Sequence, residues 1–389
     1  RWNEWYSVRR GFVSGFPLEL EKLTELGAIL QRTPLQMLTV DAGDFPETLF
    51  SHPMLECFNR FQVRFHGILK TRGDLLNEFT HLPTVSGIQH LGLDQIYYKS
   101  AFEEYDDEIA TRSLVDSLRG CLPNLCSLNI DESPLNLSGQ QMIDAEFSRL
   151  RKLNASRVGM DITAFCVPEI SGNMIWLDLS NSPQLSESAE NVKMLCNTPH
   201  SAQLDALHLR GMHPESRVAA AIAHGAVSGI HQLDLKSCPL TEEDAVTLAK
   251  SPNLASLGEL RLAHSSLSDK GMKELLQSPY LINLRILDLS ENEITSSAIK
   301  MLVRWPHLEK LTYLNLNKNQ IDDEGAKALA NCPGIANLVE LYLGENPTTR
   351  LGYIAFEESP YLQSMVALHI SRGVGRAKAK RFRVEKFLE

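Results

Sequence analysis

Leucines recur at a fixed spacing between residues 257 and 343. The pattern L-x-x-L-x-L occurs four times there, and each copy begins 27 residues after the previous one. The last two leucines of a copy flank a single residue, so they share one face of an extended segment, as in a strand with one buried side. Such regular spacing predicts one structural unit that is repeated along the chain.

Each repeat continues with a turn, a helix and a loop. The turn carries Asn292, Asn319 or Asn346, and we expect these side chains to be buried and to bond backbone groups that the turn leaves unpaired. Good N-cap residues follow, and the segment from Thr241 to Asp244 has the spacing of a capping box. After each helical segment comes a proline, which cannot continue a helix: Pro252, Pro279, Pro306 and Pro333.

One such unit has an apolar face that it cannot bury alone, whereas stacked copies bury it between them. The predicted fold class is therefore α/β, a horseshoe-shaped solenoid with a parallel sheet on the concave face and helices on the convex face. Less regular copies extend the pattern in both directions and bring the total to about 13 repeats.

One repeat carries an insertion. The copies that begin at Ile88 and Leu125 lie 37 residues apart, and the extra residues fall between Tyr97 and Ala110. This insertion loop contains Tyr97, Tyr98 and Tyr105 together with five acidic residues. It is either an acidic, aromatic contact loop for a basic partner or a solvated loop before a slightly longer helix.

The repeat motif resembles a known family. L-x-x-L-x-L-x-x-N, with a helical second half and a period near 27, is similar to the leucine-rich repeat family in its ribonuclease-inhibitor-like class. Residues 321–333 (IDDEGAKALANCP) and 9–13 (RRGFV) resemble bacterial members that carry a repeat-companion segment. The resemblance divides the chain into an N-terminal cap or companion remnant, the leucine-rich repeat solenoid and a C-terminal cap, at residues 1–34, 35–371 and 372–389.

Composition narrows the possible partners. The net charge is −10, so nucleic acid is an unlikely partner, because binding a phosphate backbone relies on clustered Lys and Arg. No apolar run is long enough to span a membrane. The seven cysteines are scattered without a C-x-x-C pair, which favours reduced core thiols in a cytoplasmic protein and predicts no metal site. We expect no cofactor.

The concave face is the predicted binding surface, because the residues between the buried leucines point to it. Trp176 and the pair Tyr313 and Tyr342 are its predicted anchors, since Trp and Tyr are common in binding hot spots. Alternatively, these rings only cover neighbouring strands, and the charged residues only pair across the sheet. The remaining predicted contact residues are polar: His208, Asp234, Arg261, Asp288 and Asn315.

Catalysis is not expected, because the sequence holds no H-E-x-x-H, G-x-S-x-G or phosphate-binding loop. The resemblance implies a non-catalytic scaffold that binds a partner protein on its concave face, and the acidic loop suggests a basic surface on that partner. Two alternatives are a regulator of an enzyme, similar to GTPase-activating proteins of this repeat class, and a sensor or substrate-recruiting subunit of a larger bacterial complex.

Overall fold

The computed structural model describes the C-terminal half of the chain almost continuously and the N-terminal half in segments. The described residues are 7–9, 12–18, 38–42, 60–65, 69–70, 89–94, 98–99, 124–131, 136–138, 149–166, 172–198, 200–362 and 365–369. The chain divides into two compact units. The first contains residues 1–184 and 198–200, and the second contains residues 185–197 and 201–389.

The first unit is built on parallel strands. An antiparallel hairpin, β1 with β2, leads into the parallel run β2-β3-β4-β6-β8-β10-β12, and two short parallel pairs, β5 with β7 and β9 with β11, lie beside it. The strands are β1 (Ser7–Arg9), β2 (Phe12–Leu18), β3 (Leu38–Ala42), β4 (Arg60–Phe65), β5 (Leu69–Lys70), β6 (His90–Asp94), β7 (Tyr98–Lys99), β8 (Ser127–Asn129), β9 (Asn136–Leu137), β10 (Lys152–Asn154), β11 (Gly159–Met160) and β12 (Trp176–Asp178).

The second unit carries one three-residue strand per repeat. All neighbours are parallel, and each strand pairs with the next along the chain without a shift of register. The strands are β13 (Ala206–His208), β14 (Gln232–Asp234), β15 (Glu259–Arg261), β16 (Ile286–Asp288), β17 (Tyr313–Asn315), β18 (Glu340–Tyr342) and β19 (Ala367–His369).

Short helices alternate with these strands, as the repeat pattern predicts. The described α-helices are α1 (Pro183–Ser186), α2 (Ala189–Cys196), α3 (Val218–His224), α4 (Glu242–Ala249), α5 (Asp269–Leu276), α6 (Ser296–Leu302), α7 (Asp323–Ala330) and α8 (Arg350–Glu357). Short 3₁₀ turns lie at Ile162–Cys166, Ser201–Gln203, Pro214–Ser216, Pro252–Leu254, Leu308–Lys310 and Pro333–Ile335. The predicted capping box is present. The backbone N–H of Thr241 donates to the carboxylate of Asp244, and the hydroxyl oxygen of Thr241 accepts from the backbone N–H of Asp244.

The core of the second unit lies between its strands and helices. The leucine at the centre of each strand pairs with the leucine of the next strand and is almost fully buried, from Leu233 to Leu341. Burial of one such side chain is worth about 1.5–3 kcal/mol, so any slip of register would expose a whole row of leucines. The repeated leucines therefore determine the register.

The asparagines of the turns are buried and bond backbone groups, as predicted, and these bonds form a ladder between neighbouring repeats. The Asn292 side chain accepts from the N–H groups of Ser265 and Leu267 and donates to the carbonyl of Leu262. Asn319 and Asn346 make the corresponding bonds in the following repeats. In an earlier repeat the thiol of Cys238 occupies this position and donates to the Leu209 carbonyl at 2.9 Å.

A second ladder joins the helix starts. Asp269 in α5 accepts from the N–H and the hydroxyl of Thr295, the N-cap of α6. Asp323 in α7 bonds Thr349, the N-cap of α8, in the same way. Helices α5 and α7 thus help to cap the helix of the next repeat, which stabilises the stacking of these repeats.

Candidate functional site

The strand face of the second unit is the surface formed by the first and third residues of strands β13 to β19. Their middle residue points into the core, so both flanking side chains point to the opposite side of the sheet. The register places Ile286, Tyr313 and Glu340 side by side in one row. In the other row Asn315 lies next to Tyr342. Most of these side chains are half-buried, so part of each remains accessible.

Three aromatic rings form a row across the strand face. The ring centres of Tyr313 and Tyr342 lie 5.5 Å apart with their planes tilted by 43°. Tyr342 in turn stacks on His369, with centres 4.5 Å apart and planes inclined by 4°. Such contacts are favourable beyond the area they bury. The three rings hold one another in place, and since all three are half-buried, part of each remains accessible.

The Tyr342 phenol is fixed by a carboxylate of its own strand. Its hydroxyl donates to Oε2 of Glu340 at 2.6 Å. This hydrogen bond, followed by burial, raises the pKa of Tyr342 to about 12. Burial and the negative charge of Asp288 raise the pKa of Tyr313 above its ordinary value. Both phenols therefore stay protonated at neutral pH.

Arg261 marks the other end of the ring row. Its guanidinium donates to Oε1 of Glu259 at 2.5 Å, lies 3.9 Å from Oδ2 of Asp288 and sits 5.8 Å from the ring centre of Tyr313. Of the charge ladder predicted across Asp234, Arg261 and Asp288, the contact between Arg261 and Asp288 is present. The side chain is held by two carboxylates and one aromatic ring, which limits its rotamer freedom.

Two of the predicted contact residues have structural roles. Asp234 is buried, and its carboxylate accepts from the backbone N–H of Lys236 and from the guanidinium of Arg210 at 2.8 Å. Asp288 is also buried, and it accepts from the N–H and hydroxyl of Ser290. Both aspartates close the turn after their strand. They add negative charge to the strand face and little contact area.

Of the other predicted residues, Trp176 and His208 lie on strands away from the ring row, and Asn315 borders it. Trp176 starts β12 in the first unit, where it pairs with Lys152 and is half-buried. His208 ends β13, and Asn315 ends β17, where its side chain accepts from the Asn317 N–H.

The predicted insertion loop is only partly described. Tyr98 lies in strand β7 instead of a loop, because it pairs with Leu69 of β5. Tyr97 and Tyr105 fall outside the described residues.

Three residues of this surface were not among the predicted contacts: Glu259, Glu340 and His369. Glu259 and Glu340 stand two residues before Arg261 and Tyr342 on the same strand. That spacing puts both side chains on one face, so E-L-R and E-L-Y were the available signals. The stacking of His369 needed the distance between adjacent strands.

Neither a metal centre nor a membrane segment is found in the described part of the chain. Among those residues, no group of three or more His, Cys, Asp or Glu side chains is arranged to hold a metal ion. Within the same residues, every helix falls short of the length and apolar character that crossing a membrane requires.

Comparison with known proteins supports the fold. A family model described as "Leucine Rich repeat" matches residues 280–303 and 307–330. No curated protein sequence matches the chain. The Rad7 and Elc1 complex of yeast contains a chain with a TM-score of 0.56 and 17% identity, covering 90% of this chain and 87% of that one.

Two bacterial structures are also similar. A leucine-rich repeat protein of Leptospira interrogans has 17% identity and a TM-score of 0.45, covering 87% of this chain and 72% of its own. An internalin of Listeria monocytogenes has 15% identity and a TM-score of 0.46, covering 91% and 95%. The likeness to the yeast chain, with its TM-score of 0.56, and the parallel strands that alternate with helices confirm the predicted α/β repeat solenoid.

Proposed function

Because this chain is a leucine-rich repeat protein with an α/β solenoid fold, we propose that it is a non-catalytic scaffold that recognises a partner protein. The proposed contact surface is the strand face of the second unit. The observation that supports it is the row of Tyr313, Tyr342 and His369, whose rings are in contact and only half-buried. Solved structures with this fold include complexes in which a repeat protein is bound to another protein, such as Rad7 with Elc1.

The ring row has the properties of a binding hot spot. Tyr and Arg are enriched among the residues that dominate protein interfaces, and such residues cluster near the interface centre. Tyr342 is held by its hydrogen bond to Glu340 and by stacking on His369. A side chain that is already ordered loses little conformational entropy on binding, so more of its contact energy appears as affinity.

Affinity capture with point variants tests the proposal. The protein serves as bait in a lysate of its native host, and recovery of the captured partner is compared for the wild type and for Tyr342→Ala. Loss of one hot-spot residue costs about 2 kcal/mol or more, so the dissociation constant should rise about thirtyfold and recovery at limiting bait should fall accordingly. Trp176→Ala tests the strand face of the first unit separately.

A matched control separates surface loss from unfolding. Glu324 is exposed in helix α7, away from the strands, and Glu324→Ala should leave recovery unchanged. Circular dichroism must show the same helix content in all variants. A photoreactive phenylalanine at position 342 should crosslink the partner, and one at position 324 should not. If Tyr342→Ala and Trp176→Ala both recover as much partner as the wild type, neither strand face is the contact surface.

A further inference from the structure

We infer that the acidic and aromatic part of the strand face, from Glu259 to His369, binds a lysine- or arginine-bearing segment of the partner protein. This inference rests on the proposed function and specifies the chemistry of the partner. Its basis is a difference between equivalent strands: Glu259 in β15 is paired with an arginine, whereas Glu340 at the same position in β18 is not. The site is centred on Glu340 and Tyr342 in strand β18.

The strand face of the second unit carries an excess of negative charge. The seven strands β13 to β19 contain four carboxylates and one arginine, so their charge is −3 with histidine neutral. Arg210, next to β13, neutralises Asp234. Two negative charges therefore remain on the surface around the tyrosines. A surface with this balance attracts cationic groups and repels phosphate backbones.

Arg261 shows how this surface holds a cation. The guanidinium lies between Glu259, two residues earlier on the same strand, and Asp288 on the next strand, and it approaches the ring of Tyr313. Two carboxylates and one ring are a favourable environment for arginine, combining charge-assisted hydrogen bonds with a cation–π contact. Here the chain supplies the cation from its own strand.

Strand β18 repeats the first carboxylate of this arrangement without the cation, and His369 stands beside Tyr342 where Asp288 stands beside Arg261. Glu340 occupies the position that Glu259 has in β15, three repeats earlier, and Tyr342 occupies the position of Arg261. Tyr342 donates a neutral hydroxyl to Glu340, which leaves the charge of the carboxylate in place. Within the described residues Glu340 forms no ion pair. The carboxylate of Glu340 is thus able to pair with a cationic side chain of a partner protein.

The surroundings of Glu340 suit a long basic side chain. Tyr313 pairs with Glu340 across the sheet, and Tyr342 stands beside it on the same face. Both are half-buried rings that can pack against the methylene groups of lysine or arginine while the charged head reaches the carboxylate. Acidic or phosphorylated segments would meet like charge here and are disfavoured.

Binding of a labelled peptide tests whether the strand face prefers a basic segment. The probe is a fluorescein-labelled peptide of alternating lysine and serine, and the matched probes replace lysine with acetyl-lysine or with glutamate. Anisotropy at low salt should show binding of the lysine peptide only. Glu340→Gln should weaken that binding about fivefold, because loss of one close charge pair costs about 1 kcal/mol. Added salt should weaken it further.

Variants with the same change of net charge are the controls. Glu324→Gln removes one exposed charge on helix α7 and should leave the dissociation constant within a factor of about 1.5, since exposed charges that are not in contact interact weakly through water. Tyr342→Ala should weaken binding as much as Glu340→Gln, whereas Tyr342→Phe keeps the ring and should not weaken it. Equal effects of Glu340→Gln and Glu324→Gln, equal binding of the acetylated peptide, or no binding of the lysine peptide would each overturn the inference.

The two proposals fail in different ways. Position 342 could crosslink a partner whose capture is insensitive to Glu340→Gln and to salt. In that case the strand face is a binding surface, and the inference of a basic segment is wrong. If the lysine peptide binds at Glu340 and no partner depends on Tyr342, the local chemistry is correct and the scaffold proposal loses its support.

Discussion

Replacement of Asn292 by alanine is the sharpest test of how the repeats are held together. The side chain is buried and makes five hydrogen bonds, three of which join it to the preceding repeat and two of which lie within its own turn. Its amide oxygen accepts from Ser265 N–H at 3.1 Å and from Leu267 N–H at 2.9 Å, and its amide nitrogen donates to the Leu262 carbonyl at 2.7 Å. Alanine leaves these three backbone groups without that partner.

The expected loss follows from the desolvation of those groups. A buried donor or acceptor that loses its partner costs about 1–3 kcal/mol, so three such groups set a range of about 3–9 kcal/mol. Because small shifts of the turn or entry of a water molecule recover part of this, we expect about 3 kcal/mol for Asn292→Ala. Asn292→Cys should lie between alanine and the wild type, since the thiol of Cys238 donates to a carbonyl at the equivalent position.

Urea denaturation followed by circular dichroism gives the free energy of unfolding and the m-value of each variant. Hydrogen exchange gives the local effect, and the amides of Ser265 and Leu267 should exchange faster in Asn292→Ala before global unfolding. The control is Asn337→Ala, because Asn337 makes a single exposed bond to the Glu309 carbonyl. That carbonyl can bond water instead, so the cost should stay below about 1 kcal/mol.

A specific result would refute the reasoning. If Asn292→Ala and Asn337→Ala lower the free energy of unfolding equally, with equal m-values, the buried ladder does not stabilise the stack. Unchanged exchange at Leu267 would refute the assignment of the effect to the orphaned N–H groups.

Three further predictions concern other elements of the second unit. Gly325→Ala should destabilise the protein by about 1–3 kcal/mol in urea, because the added methyl group would collide with the Ser296 hydroxyl. Ser237 has a φ of 58°, so Ser237→Gly should be more stable than Ser237→Ala by about 1 kcal/mol. The hydrogen bond to Glu340 and burial raise the pKa of Tyr342 from 10.0 to about 12. Since the raised pKa favours the protonated folded state, its contribution to stability is complete below pH 10 and is lost as the pH rises toward about 12. Tyr342→Phe should remove that part of the pH dependence.

Each of these has a contradicting outcome. A stabilised Gly325→Ala would mean that the contact with Ser296 relaxes freely and only helix propensity remains. Equal stabilities of the glycine and alanine variants at position 237 would show that the left-handed backbone there carries no strain. If the stability of Tyr342→Phe depends on pH in the same way as that of the wild type throughout the alkaline range, the hydrogen bond between Tyr342 and Glu340 does not contribute to stability.

Much of the second unit follows from sequence alone. Leucines at a constant interval determine the strands and their register, because only one alignment buries all of them. Asn292 and the capping box at Thr241 were also predictable, since a buried turn and a helix start each leave backbone groups that only certain side chains satisfy.

The functional surface depended on the tertiary structure. The sequence placed Tyr313, Tyr342 and Arg261 on one face, yet it could not say which carboxylate meets which cation. In the structure Asp234 is buried and bonded to Arg210, and Arg261 donates to Glu259. Tyr342 stacks on His369. The physical reason is that backbone hydrogen bonds and leucine burial determine strand spacing, whereas side-chain pairing depends on rotamers chosen among neighbours from other repeats. Apart from Glu259 and Arg261, which share a strand, those neighbours come together only when the repeats stack.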